Sequence, residues 1–199
     1  MPRKLLTAVV AVVLAAPVAA QSTGTPVFHA PYRAFERHEY GLALSDQGNL
    51  TLEAHWGFSS TQARWDFAIR GGIQDTQVGD AAFLVGVDAR YRVIDQTADF
   101  PLDGAFVTGV GASLVSGSSR LFVPLGISLG RRVNFEGSEV SLVPYVQPVV
   151  MPVFGDGDED IAVALGLGGD LRLSRRFEIR LGIGLGDIES FSIGFSFTR

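Results

Sequence analysis

Phe177-Glu178-Ile179-Arg180-Leu181-Gly182-Ile183-Gly184-Leu185 decides how this chain folds. Every odd position carries a large apolar side chain, and every even position a charge or a bare glycine. A repeat of two is the side-chain period of an extended strand, whose successive side chains point to opposite faces. Charges interleaved with glycines read less like an outer surface than like the lining of a narrow, wet interior. The other face, from Phe177 to Leu185, then turns outward. Phe191-Ser192-Ile193-Gly194-Phe195-Ser196-Phe197 repeats the pattern a few residues later.

Working upstream, the alternation divides the chain into ten strand-like segments: 36–44, 50–58, 63–73, 81–93, 105–114, 121–133, 140–150, 161–173, 177–185 and 191–197. Asp46-Gln47-Gly48-Asn49 supplies the first turn, Ser59 to Gln62 the second, Gly155 to Asp160 an acidic loop, and Arg175-Arg176 the tight turn before the ninth segment. Outward positions carry Leu50, Leu52, Trp56 and Phe58 in the second segment, and Phe83, Val85, Val87 and Tyr91 in the fourth. The seventh segment contains Pro144 and Pro148, which cannot donate to a ladder and normally argue against a central strand. They share one phase, so a bent or bulged strand remains open. Several segments reach the roughly 9 to 11 residues that a tilted membrane strand needs. No helical period competes with them. The expected fold is all-β: a closed antiparallel up-and-down transmembrane β-barrel of ten strands, with eight as the alternative if the first segment and a weak middle one lie outside the wall.

The start of the chain agrees with a destination beyond the cytoplasm. Arg3 and Lys4 precede an apolar run from Leu5 to Leu14, followed by small residues ending Val18-Ala19-Ala20. This is the layout of a cleaved secretory signal peptide over residues 1–20, and the run is short for a membrane-spanning helix. Residues 21–35, with Pro26 and Pro31, form a leader lying in the periplasm or tucked into the barrel; the barrel proper spans 36–199. The chain has no cysteine, which removes disulfides and thiolate metal sites. Cleavage takes Arg3 and Lys4 from its 16 basic residues and none of its 21 acidic ones, so the formal charge moves from −5 to −7. A basic nucleic-acid-binding surface is excluded on that balance.

With ten strands, the first ascending, the inward positions collect a charge network of Glu53, His55, Arg64, Asp66, Arg70, Asp88, Arg90, Arg92, Asp170, Arg172, Glu178 and Arg180. An arginine facing lipid at the midplane costs about 2 to 4 kcal/mol, which enforces the inward assignment. The same bookkeeping places Trp56, Phe58, Trp65, Tyr91, Phe177 and Phe197 outward near the periplasmic ends of their strands, as an aromatic girdle at a membrane interface requires.

Candidates for chemistry are few. His55 beside Glu53 could be an acid/base pair, but the sequence places no serine, cysteine or third carboxylate to complete a site, and a histidine in a lumen network is the simpler expectation. Asp156, Asp158, Glu159 and Asp160 lack EF-hand spacing and read as a solvated loop. Gly166, Gly168 and Gly169, like Gly109 and Gly111, do not complete a phosphate-binding spacing and open no helix; glycine there relieves crowding. The expectation is no catalytic residue, no metal and no cofactor.

The signal peptide, Leu121 to Gly130, Val143-Pro144-Tyr145-Val146 and the terminal Phe191 to Phe197 together resemble the family of small bacterial outer-membrane β-barrel proteins that includes the opacity-type and OmpA-barrel-like members. The resemblance implies an outer-membrane location, contact with outer-membrane lipid, and recognition of the C-terminal strand by the barrel-insertion machinery. This chain runs two residues past its last aromatic, Phe197, and its loops are short. The expected role is therefore a monomeric, non-catalytic structural or envelope-interaction protein. A narrow ion or small-solute channel is the alternative, and a hydrolase or a soluble lipocalin-like barrel stands further off.

Overall fold

The computed structural model describes residues 28–32, 38–59, 64–76, 80–155 and 158–198. Nearly all of this chain is extended. The wall strands are β1 (His38–Asp46), β2 (Leu50–Ser59), β3 (Trp65–Gln74), β4 (Ala82–Ile94), β5 (Asp103–Val115), β6 (in two stretches, Ser118–Phe122 and Leu125–Gly130), β7 (Ser141–Gly155), β8 (Asp158–Arg172), β9 (Phe177–Gly186) and β10 (Ser190–Thr198). Each pairs antiparallel with its sequence neighbours, and β10 closes on β1 through partners such as Tyr40↔Phe197 and Leu44↔Ile193. Both stretches of β6 keep one register against β5 and one against β7, so they form a single strand interrupted at Val123-Pro124. The wall therefore has ten strands, and the first segment belongs to it, which removes the eight-stranded alternative.

Closure follows from the backbone. A strand edge in hydrocarbon leaves amides with neither water nor partner, so a spanning sheet must join its own ends. Following the registers round the wall, each circuit returns to its first strand displaced by about twelve residues, a stagger that for ten strands implies a tilt near 40°. The first hairpin turns where the sequence expects it. Gly48 takes φ 86°, and its amide donates to the Asp46 carboxylate at 2.8 Å.

Two segments differ from expectation. The seventh is not a weak strand: β7 and β8 are the longest of the wall, 15 residues each. The prolines fit because Pro144 and Pro148 both point outward, and they cost β7 hydrogen bonds on one side only. The acidic loop is also shorter than read. Asp158, Glu159 and Asp160 belong to β8, paired with Gly155, Phe154 and Val153, because the β7–β8 hairpin continues beyond the apolar belt. The signal peptide, leader residues 21–27 and 33–35, the positions from Thr61 to Ala63, and Asp156 lie outside the described residues.

The two faces separate as the alternation demands. Val85, Leu181 and Ile183 are 52%, 46% and 48% exposed on the outside of the cylinder, where lipid takes the place of water. From Phe83 to Val93 the outward row of β4 covers about ten residues, or about 25 Å of height at this tilt, which matches the apolar band of a membrane barrel. Inward positions divide by strand. Those of β1 to β4, β9 and the Asp170–Arg172 end of β8 carry charges, whereas Phe122, Val143, Val149, Met151, Ala162 and Ala164 line the rest of β6 to β8 with apolar side chains. Replacing Val87, midway along the outward row of β4, by arginine should lower stability by about 2 to 4 kcal/mol in reversible urea unfolding from lipid vesicles. An unchanged midpoint would refute the lipid-facing assignment.

Candidate functional site: the occupied lumen

The lumen is filled from two sources, wall side chains and residues 28–32 of the chain itself. Phe28, Ala30, Pro31 and Tyr32 are all buried. The segment runs along the barrel axis from the middle of the lumen toward the end where β1 begins and β10 finishes. Its backbone reaches strands on opposite walls. The His29 amide donates to Gln147 Oε1 on β7 at 2.6 Å, and its carbonyl accepts from the Ser128 hydroxyl on β6. Across the lumen, Arg90 on β4 donates to the Ala30 carbonyl, and the His29 ring lies 3.3 Å from an Arg70 nitrogen and 3.6 Å from Asp88 Oδ2. Tyr145 donates to the Phe28 carbonyl at 3.3 Å. At the mouth, Tyr32 accepts from Arg132 Nε at 3.1 Å, and that guanidinium lies 4.4 Å above the Tyr32 ring, a cation–π contact.

Glycine makes the room. A Cβ at Gly166 on β8 would collide with the Phe28 ring, and one at Gly184 on β9 would lie 3.0 Å from it. Gly168 leaves the same kind of space for the Tyr145 ring, and Gly41 for His55. Gly166 and Gly168, two of the glycines weighed as a nucleotide loop, thus form a socket for aromatic rings. Ile188, in the β9–β10 turn at the far end, folds inward and completes the apolar cluster round Phe28.

Around the segment stand six carboxylates and three arginines. Arg180 on β9 is 2.8 Å from Glu39, 2.7 Å from Glu178 and 3.9 Å from Asp170. Arg70 on β3 is 2.6 Å from Asp88 and 3.8 Å from Glu53. Arg90 on β4 meets Asp66 at 3.1 Å. Charges sheltered from both lipid and bulk water persist only when paired, and one planar guanidinium can serve several carboxylates at once. Two small voids adjoin this layer. One of about 20 Å³ is lined by His29, Asp66, Asp88 and Arg90, and one of about 10 Å³ by Tyr32, Arg132, Asp170, Arg172 and Glu178. Each has space for about one water.

Eleven of the twelve charged positions expected in the lumen occupy three levels. Glu53, His55, Asp66, Arg70, Asp88, Arg90, Asp170, Glu178 and Arg180 sit in the paired layer. Arg172 is half-buried below it. Arg92 stands at the mouth, 5.7 Å from the Tyr32 ring and 3.9 Å from Asp95. Arg64 is a correction: it precedes β3 and its carbonyl still accepts from the Arg92 amide of β4, but its side chain is 52% exposed and pairs with Asp95 at 2.8 Å on the rim, where water competes with the lumen for the charge. The outward aromatics do meet at one end, with Trp65 4.6 Å from Tyr91, Trp56 5.5 Å from Phe58, and Phe177 cross-strand from Phe197. Tyr40, Phe67 and Phe195 extend the belt.

His55 does not pair with Glu53. Its Nε2 lies 3.0 Å from Glu39 Oε1, 3.3 Å from Ser196 Oγ and 3.4 Å from an Arg180 nitrogen. The structure therefore brings a serine, a histidine and a carboxylate together, which the sequence reading did not foresee. A relay needs the serine on one ring nitrogen and the carboxylate on the other. Here both converge on the same nitrogen, and Ser196 and Glu39 are 0% and 1% exposed. The geometry is that of a structural network. Glu39, its hub, shares the inward phase of Gly41 and Ser45, so strand alternation alone could have found it. Tyr145 and Gln147 were legible the same way. Among the described residues no group of three or more His, Asp or Glu is placed to hold a metal ion.

No protein-family model matches the chain, and no curated protein matches it. Solved structures do. The β-domain of the Bordetella autotransporter BrkA aligns with TM-score 0.51 at 12% identity, over 81% of this chain and 99% of that one. A bacterial polysaccharide outer membrane secretin aligns at 0.48 and 10% identity over 76% of this chain, and a de novo designed transmembrane β-barrel at 0.40 and 14% over 80% of this chain and 92% of that one. The chain spans 57% of the secretin chain. Fold and lining together define the class: a transmembrane β-barrel with an occupied, ion-paired lumen.

Two tests bear on the site. Because the chain has no cysteine, a Phe28→Cys thiol should resist a maleimide reagent in the folded barrel and react once Gly166→Leu fills the socket; equal reactivity in both would show that the segment is not seated there. Glu39→Ala should cost about 1.5 to 3 kcal/mol in vesicle unfolding, because it removes a buried charge-assisted contact from Arg180 and the carboxylate partner of His55. A loss under about 1 kcal/mol, the usual value of an exposed pair, would put this layer in bulk water instead.

Proposed function

We propose that this chain is a self-plugged, non-catalytic barrel of the bacterial outer membrane, exported through a cleaved signal peptide, with a structural or envelope-interaction role. The observation that carries this reading is the seating of residues 28–32, which engage β3, β4, β6 and β7 at once. A conducting pore needs a continuous watery path, whereas this axis holds backbone, Phe28, Tyr145 and ion pairs. Catalysis is disfavoured by the convergence of Glu39 and Ser196 on one nitrogen of His55. The kinship to opacity-type and OmpA-barrel-like proteins belongs to the same proposal, supported by the export signal and the alternating terminal strand. So do a monomeric state and recognition of β10 by the insertion machinery.

The narrow channel stands as a second reading because the plug is held by hydrogen bonds and not by a covalent link. Planar-bilayer recording separates the two. The mature protein should show no unitary conductance, and a variant lacking residues 21–32 should show small, stable steps. Steps of equal size in both proteins would make the intact chain a channel and overturn the plugged reading.

A further inference from the structure

Among the described wall strands, proline interrupts β6 at Pro124, whose carbonyl accepts from Gly109 on β5, and recurs along β7 in a systematic phase. Pro144, Pro148 and Pro152 are spaced by four, so all three turn their backbone toward the same neighbour. That neighbour is β6: Arg131 donates to the Pro144 carbonyl at 3.2 Å, and Val123 to the Pro152 carbonyl at 3.0 Å. The register pairs Pro148 with Ile127 in the same way. At each of these pairs the return bond is missing, because proline has no N–H. The intervening pairs Leu121↔Phe154, Leu125↔Val150 and Leu129↔Val146 are intact. Every second hydrogen-bonded pair along this seam is therefore half made, in a medium where no water replaces the lost donor.

What lies on either side of the seam is equally specific. Outside are lipid and the exposed rings of Pro144 and Pro148. Inside is the apolar half of the lumen, with Phe122, Val149, Met151, Ala162 and Ala164 gathered round Phe28. The seated segment also clasps the seam from within. Ser128 and Gln147 are register partners on β6 and β7, and His29 bonds both of them, one through its carbonyl and one through its amide.

We propose that the β6–β7 seam is a lateral opening to the membrane and that the apolar half-lumen behind it, occupied by Phe28 in the closed state, is a binding site for the acyl chain of a membrane lipid. The proposal rests on the barrel being embedded in lipid. Opening separates two strands where they are least bonded and admits a chain whose chemistry matches both the surrounding medium and the pocket. Withdrawal of Phe28 and His29 supplies the space and releases the clasp.

The probe is a phosphatidylcholine carrying a diazirine at the end of one acyl chain, in vesicles holding the folded full-length mature protein, with photolabelled residues mapped by mass spectrometry. Outward residues such as Val146 and Val150 should be labelled, together with the inward Val149 and Met151, and Phe28→Ala should increase the inward labelling. Restoring the donors with Pro144→Val, Pro148→Val and Pro152→Val should reduce inward labelling at least about fivefold relative to outward, the factor that a single net hydrogen bond of about 1 kcal/mol provides. Outward labelling of that variant reports that it has folded and inserted, and single Pro148→Val serves if the triple does not insert. Labelling confined to outward residues in both the mature protein and Phe28→Ala would overturn the site while leaving the membrane reading intact. Inward labelling unchanged by the proline replacements would overturn the seam as its route, and absence of outward labelling would overturn the membrane reading with it.

Discussion

A backbone amide in hydrocarbon must find its partner within the protein, and the whole structure depends on that requirement. It forces the sheet to close, β10 against β1, and closure fixes everything else. Once the wall is a cylinder, each strand has one face toward lipid and one toward a confined lumen, so the period-two alternation becomes obligatory on every strand. A single-residue slip would send the charges of β3, β4 and β9 into lipid. The register is therefore held by the cost of misplaced arginines as much as by hydrogen bonds.

Closure also creates a filling problem. A ten-stranded wall encloses more volume than its small inward residues occupy, since Gly166, Gly168 and Gly184 leave part of the wall without side chains. The chain solves this with its own residues 28–32. The short segment matches a lumen that is apolar on one side and charged on the other: Phe28 enters the glycine socket beside β8 and β9, His29 faces Arg70 and Asp88, and Tyr32 meets arginines at the mouth. A uniformly polar or uniformly apolar peptide would leave one half unsatisfied. The fit makes the segment part of the fold and not a passenger.

The alternation made the wall legible from sequence because it is local: ten segments, their turns and the outward aromatics follow from residues two apart. What joins residues across the lumen was not legible. Glu39 could be placed inward by phase, yet its pairing with Arg180 and His55 depends on β9, β10, β1 and β2 coming together at one height. Ser196 reaches His55 for the same reason. Arg64 was misplaced because phase says nothing about where a strand begins. The leader has no period at all, so nothing local distinguishes residues 28–32 from a free tail; only the empty glycine socket on the opposite wall does.

Strand β7 shows how two opposed demands can share one segment. Its odd residues face inward and bond toward β8 without interruption, which keeps Tyr145 and Gln147 fixed against the plug. Its even residues face lipid and bond toward β6, and three of them are prolines. Period two separates not only side-chain faces but also the neighbours to which backbone groups are directed. A strand can therefore be firmly joined on one side and loosely on the other without losing its inward constellation. Prolines in the odd phase would have weakened the β7–β8 ladder and placed rigid rings in the lumen, where Tyr145 and Gln147 hold the plug. In the even phase they weaken a single seam, and the plug's backbone spans that seam at Ser128 and Gln147. The closed barrel thus depends on the residues that fill it: where the wall lacks its own hydrogen bonds, the chain's N-terminal segment supplies a substitute from within.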